Sequence, residues 1–102
     1  MSVSSNISPE DNKINIVVNE RFDFSLHQQF RDAYSQCTTK KLNYALDLSQ
    51  IEYMDSSALG MILLLKDHVD MYEGTLVILN PSDTVNKILT IAQFHRLMTI
   101  ER

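Results

Sequence analysis

The chain has 102 residues, 44% of them hydrophobic and 22% charged, with a formal net charge of -4. That size and composition suit one folded domain with one apolar core and exclude a wholly disordered chain. The negative balance argues against nucleic acid or an anionic membrane surface as partner, because both are held by a positive field.

Residues 1–12 are polar and end in the turn-forming run Pro9-Glu10-Asp11-Asn12, with Val3 and Ile7 placed for a weak edge strand. Lys13–Asn19 alternates Ile14, Ile16 and Val18 onto one face and predicts a strand. Ser25 is placed to cap a helix from Leu26 to Cys37, with Leu26, Phe30, Ala33, Tyr34 and Cys37 at helical spacing. Leu42–Leu48 predicts a second, central strand. A helix capped by Asp55 or Ser56 then runs to Tyr72, its apolar period carried by Leu59, Ile62, Leu63 and Val69, and Gly74 ends it. Thr75–Leu79 is a continuous apolar run and predicts a buried parallel strand. Ser82 caps a third helix to Phe94, and Leu97–Ile100 predicts a last short strand.

The order β-β-α-β-α-β-α-β predicts an α/β fold: a mixed, mostly parallel β-sheet with right-handed helical crossovers. Residues 13–102 form the domain proper. The strand-to-helix loops then gather along one edge of the sheet, where sites in open α/β folds lie.

The informative segment is Ile51-Glu52-Tyr53-Met54-Asp55-Ser56-Ser57-Ala58-Leu59-Gly60, which joins a strand to an apolar helix. Asp and Ser at such a junction accept hydrogen bonds from the free N–H groups of the first turn, and capping is their commonest use. The alternative is that one serine hydroxyl accepts a phosphoryl group. A helix N-terminus favours an anion, and a phosphoserine there adds about -1.5 to -2 charges at one point of the surface. Beside Asp55 that charge would repel an acidic or apolar partner while leaving the architecture intact.

Tyr53-Met54-Asp55-Ser56-Ser57-Ala58-Leu59-Gly60 resembles the phosphorylation loop of STAS domains. It is most similar to the anti-sigma-factor antagonists, whose pattern is roughly aromatic-Met-Asp-Ser-Ser/Thr-Gly-Leu-Gly. The likeness runs from about Lys13 onward through Asp47-Leu48, Gly74–Ile78 and the tail bearing Phe94, Leu97 and Ile100. It implies a single STAS domain and assigns the phosphorylated serine to Ser56. It gives Asp55, Ser57, Ala58, Leu59 and Gly60 to the switch loop and sets Asp23 beside the docking surface. The sequence departs from the family at Ala58, where Gly is usual, and at Glu20-Arg21, where a Gly-Glu pair is usual.

The resemblance also implies partners: a serine protein kinase that is itself an anti-sigma factor, bound when Ser56 is unmodified, and a metal-dependent serine phosphatase that removes the mark. Such switches control transcription, stress responses or biofilm formation. The chain itself would catalyse nothing and need no cofactor. Two alternatives dock without phosphorylation: the STAS accessory subunit of a lipid-transport ABC system, and a scaffold STAS protein of a stress-signalling complex.

The remaining residues add little chemistry. His27, His68 and His95 are scattered and lack metal-ligand spacing. His68 lies more than three helical turns from Ser56, too far to act as its base. The only glycines, Gly60 and Gly74, exclude a phosphate-binding glycine loop. The single cysteine, Cys37, precludes an internal disulfide and reads as core filler. Met54 and Met61 flank the loop as an adaptable docking patch or as core. No stretch approaches the roughly 20 apolar residues of a membrane span, and the polar start lacks a signal peptide's layout. These features predict a cytoplasmic protein.

Overall fold

Five strands form one sheet, and the connections between them carry the helices. The computed structural model describes residues 2–102. The strands are β1 (Val3–Ser8), β2 (Lys13–Phe22), β3 (Asn43–Met54), β4 (Thr75–Leu79) and β5 (Thr99–Glu101). The helices are α1 (His27–Asp32), α2 (Ser56–Met71) and α3 (Asp83–Ile91). The strands lie in sequence order in one sheet; β1 pairs antiparallel with β2 and the remaining neighbours pair parallel. The predicted mixed sheet and element order are therefore observed.

The three crossovers step the same way across the sheet, so right-handed connections place every helix on one face. Burial agrees with that geometry. Ile14, Ile16 and Val18 of β2, Tyr44, Leu46 and Leu48 of β3, and Leu76 and Ile78 of β4 are buried beneath the helices. The residues between them on β2 are only half-buried. The apolar run of β4 predicts burial throughout, but Val77 and Leu79 face the uncovered side and are only partly buried. A run of apolar residues does not reveal that one face has no layer above it.

Several boundaries differ from the sequence expectation. Asp23, not Ser25, caps the turn before α1; Phe24–Leu26 is a 3-10 turn, and Ser25 lies inside it. α1 ends at Asp32 rather than Cys37. Beyond it Tyr34 N–H bonds to the Arg31 carbonyl and Cys37 N–H to the Tyr34 carbonyl, tightened spacings that close the helix. α3 stops at Ile91 because Gln93 is left-handed at φ 62°, and Phe94 reaches the core from a separate 3-10 turn. β5 begins at Thr99, leaving Leu97 exposed.

The buried stripe of α2 is Ala58, Met61, Ile62, Leu65 and Val69, so Leu63 faces solvent. Glu73 makes the left-handed turn after α2, with φ 58°. Gly74 serves a close approach instead: a Cβ there would lie 2.5 Å from the Leu42 carbonyl oxygen. At the same end of α2 His68 sits among the rings of Tyr34, Tyr44 and Tyr72, and its Nε2 lies 2.7 Å from the Cys37 carbonyl oxygen. Cys37 packs against the core from a half-buried position. Burial pushes the Tyr44 hydroxyl well above the usual tyrosine range.

Candidate functional site

The two strands that lead to the site outrun their neighbour. β4 stops at Leu79, opposite Asp47, whereas β2 and β3 continue together until Phe22 pairs with Met54. They stand beyond the sheet edge as a two-stranded ribbon. Register shifts occur between Val17 and Asn19 and between Glu20 and Arg21, and Glu20 is left-handed at φ 67°. These irregularities explain why the sequence pattern ends both strands early, at Asn19 and Leu48. Along β3 the buried residues Leu48, Ile51 and Met54 recur every third position, which breaks a two-residue period.

Each ribbon strand delivers an aspartate into the same turn. Asp55 has extended backbone, and its Oδ1 accepts the Ser57 N–H at 3.0 Å, the Ala58 N–H at 3.3 Å and the Ser57 hydroxyl at 2.5 Å. Asp23 Oδ1 accepts the Ser25 N–H at 3.0 Å and the Ser25 hydroxyl at 2.5 Å. The Asp55 N–H donates to the Phe22 carbonyl at 3.3 Å, which ties the turns together. Arg21 Nε donates to Asp23 Oδ2 at 3.2 Å, and the Arg21 guanidinium lies 4.6 Å from the ring centroid of Tyr53. The Ser25 hydroxyl's hydrogen bond, opposed by desolvation and aided by the Arg21 hydrogen bond, the Ser25 N–H and the Arg21 charge, holds the Asp23 carboxyl below its ordinary range.

The two serines that follow Asp55 differ in consequence. Ser57 is half-buried, and its hydroxyl is engaged by Asp55. Ser56 is the exposed first residue of α2, and its hydroxyl makes no hydrogen bond among the described residues. The sequence allows the cap at either Asp55 or Ser56; it is Asp55, which frees Ser56 from structural duty. Ala58 is fully buried and Leu59 half-buried, so both anchor the helix start. Gly60 is exposed one turn beyond Ser56, and a Cβ there would meet nothing within 4 Å.

Beyond Gly60 the outward face of α2 mixes apolar and acidic residues, with Asp67 and Asp70 exposed among its leucines. Leu63, Leu64 and Met71 are exposed, and Leu64 and Met71 line an open groove of about 360 Å³ with Arg31, Tyr34 and Tyr72. Phe24, 66% exposed, stacks on His27 at 5.1 Å between centroids. Met54 and Met61 are buried, so they are core and not the adaptable patch that their sequence position allowed. Sequence reasoning misses Phe24, although a signal is available: Phe24 occupies the middle of Asp23-Phe24-Ser25 as Ser56 does in Asp55-Ser56-Ser57.

No group of three or more His, Cys, Asp or Glu side chains among the described residues is placed to hold a metal ion. No described helix is long and apolar enough to cross a membrane. A cavity of about 610 Å³ lies beside Gly74–Leu76 and Arg96–Ile100, where β4 begins, away from the paired turns.

Residues 7–102 match the STAS domain family. A STAS-domain containing protein of Pseudomonas aeruginosa strain UCBPP-PA14 is 40% identical over 100 residues, spanning 98% of this chain and 99% of that one. Among solved structures, the unphosphorylated anti-sigma factor antagonist SpoIIAA superposes with a TM-score of 0.78 at 20% identity, over 96% of this chain and 86% of that one. The phosphorylated form of the Bacillus cell fate determinant SpoIIAA gives a TM-score of 0.68 at 18% identity, over 96% and 89%. These two likenesses establish the fold.

Proposed function

The chain belongs to the STAS domain family, and from that premise we propose that it is a cytoplasmic regulatory switch set by phosphorylation of Ser56. Unmodified, it binds a serine protein kinase of the anti-sigma-factor kind; phosphorylated, it releases that partner. The observation that carries this reading is the division of labour between adjacent serines. Asp55 engages the Ser57 hydroxyl and caps α2, while the Ser56 hydroxyl stands exposed and unbonded among the described residues.

The kinase transfers the γ-phosphoryl group of ATP to Ser56 Oγ. The hydroxyl proton passes to a base of the kinase, and ADP leaves. ATP and its metal ion belong to that enzyme; this chain is a substrate and catalyses nothing. The phosphate does not sink into the helix terminus, because Asp55 Oδ1 already accepts the N–H groups of Ser57 and Ala58. Its charge stays on the surface beside Asp55 and Asp23, at the head of the α2 face that exposes Leu63, Leu64 and Met71 along with Asp67 and Asp70. A partner seated on that face and on Phe24 would have to desolvate the phosphate, and binding is lost. A metal-dependent serine phosphatase restores the hydroxyl by hydrolysis.

The test is intact-mass analysis of the protein isolated from its own host, followed by fragmentation, with Ser56→Ala as control. One phosphoryl group mapped to Ser56 and absent from the variant is the expected result. A chain never modified under any growth or stress condition tested would overturn the proposal in favour of a docking subunit. A mark on Ser57 alone would show that the wrong hydroxyl was assigned.

A further inference from the structure

One edge of the sheet is β1. Its hydrogen-bonding phase is set by the Asn19 N–H, which donates to the Ser2 carbonyl at 2.8 Å. In an antiparallel pair alternate residues exchange both bonds. With Ser4 paired to Val17 and Asn6 to Asn15, the backbones of Ser2, Ser4, Asn6 and Ser8 turn toward β2. Those of Val3, Ser5 and Ile7 therefore turn their N–H and C=O groups outward.

Such an edge is a template for another strand, and folded proteins commonly guard it with a charge, a proline or a bulge. β1 has none of these. Its sequence is Val-Ser-Ser-Asn-Ile-Ser, and its pairing with β2 runs without a register shift. Ile7, on the helix-covered face, is 53% exposed, whereas Val3 on the same face is buried.

The segment is also a palindrome of polarity. Ser2-Val3-Ser4-Ser5-Asn6-Ile7-Ser8 reads apolar and polar in the same order from either end, with Ser5 at its centre. An antiparallel second copy centred on Ser5 sets Val3 opposite the partner's Ile7, Ser4 opposite the partner's Asn6, and Ser5 opposite the partner's Ser5. Every cross-strand pair then joins like polarity. The backbone phase agrees as well, because Val3, Ser5 and Ile7 of both copies present their outward groups to each other.

We propose that β1 is a self-association edge, joining two copies of this chain about a two-fold axis through Ser5 into one continuous sheet. The axis is perpendicular to the sheet, so both helix layers share one face. The two β2 strands run in opposite directions, and the two Asp55-Ser56-Ser57 turns leave from opposite ends. Neither copy covers the other's Ser56, so each can meet its own partner. A single strand pair buries less than the roughly 1,000 Å² of a durable complex, so the dimer is weak and reversible.

The test is sedimentation velocity of the full chain from about 10 µM to about 1 mM, the range in which a small interface responds to concentration. The sedimentation coefficient should rise toward that of a dimer. Ser5→Lys, and independently Ser5→Pro, should weaken association by about tenfold or more while leaving the circular dichroism spectrum unchanged, since the Ser5 N–H makes no bond to β2. Ser56→Asp should dimerise as the parent does, which separates this inference from the switch. A parent chain that stays monomeric to the highest concentration overturns the proposal. A dimer that both Ser5 variants leave intact also overturns it, because association then uses another surface.

Discussion

Asp23-Phe24-Ser25 and Asp55-Ser56-Ser57 are the same turn built twice, side by side. In each, one carboxylate oxygen takes the N–H at 3.0 Å and the hydroxyl at 2.5 Å of the serine two residues on. They differ in the helix each one opens and in the residue at the middle. The first opens a 3-10 turn and the six-residue α1; the second opens the sixteen-residue α2. The first exposes a phenylalanine and the second a serine. The difference teaches that the aspartate and the last serine are scaffold, and that the middle position is free to carry chemistry. A hydroxyl there can be modified, whereas an aromatic ring can only be docked upon.

The sharpest way to break this comparison is to change the middle residues in a binding assay with the proposed kinase partner. Ser56→Asp should weaken binding by about 100-fold, near 2.7 kcal/mol, through like charge and desolvation, while Ser56→Ala stays close to the parent. Isothermal titration would show this, and a Ser56→Asp protein with parental affinity would remove the charge mechanism. Phe24→Ala should weaken the same binding by about tenfold through lost apolar burial. It should change stability by no more than about 0.5 kcal/mol, since the ring is already exposed.

Substitutions of the scaffold sharpen the comparison through stability. Asp55→Ala should cost about 1–2 kcal/mol in urea denaturation, because it uncaps a long helix packed on the core. Asp23→Ala should cost about half as much, since the element it caps is short. Equal losses would mean that the turns, not the helices behind them, set the energetics. The smallest effect is in pH. The Asp23 carboxyl is depressed in the folded chain, chiefly by its bond to Ser25, so its contribution is present above the ordinary value of 3.8. That contribution fades as pH falls below 3.8 toward the folded value. The stability gap between the parent and Asp23→Asn should therefore be full above pH 3.8 and narrow on further acidification, and a gap in urea denaturation that does not change with pH would remove this contribution.

The Asp55-Ser56-Ser57 turn was legible because its chemistry is local. An aspartate two residues before a serine, between a strand and an apolar helix, has few conformations that satisfy its hydrogen bonds. The long α2 and the strands up to Val18 and Leu48 were legible for a similar reason, since a regular period survives in the sequence. The ribbon beyond them was not. Asn19, Glu20 and Arg21, and Ser49, Gln50 and Glu52, carry no alternation, and the bulges that let Ile51 and Met54 return to the core depend on the facing strand. Phe24 escapes a reading by residue type because its exposure comes from the turn, and a phenylalanine more often signals core.

The order of strands and helices, the cap residue Asp55 with its adjacent serines, and the absence of glycine-loop chemistry are determined by the sequence itself, because hydrophobic period and turn chemistry act over a few residues. Three things were decided only by tertiary structure. The Phe22–Met54 pairing brings two aspartate turns 32 residues apart in sequence into one site. Burial of Met54 and Met61 and exposure of Leu63, Leu64 and Met71 fix which face of α2 a partner can meet. Engagement of the Ser57 hydroxyl by Asp55 leaves Ser56 as the unbonded hydroxyl of the pair among the described residues. Each depends on which surfaces meet when the sheet and its helices assemble, and chain-neighbour preferences do not encode that contact.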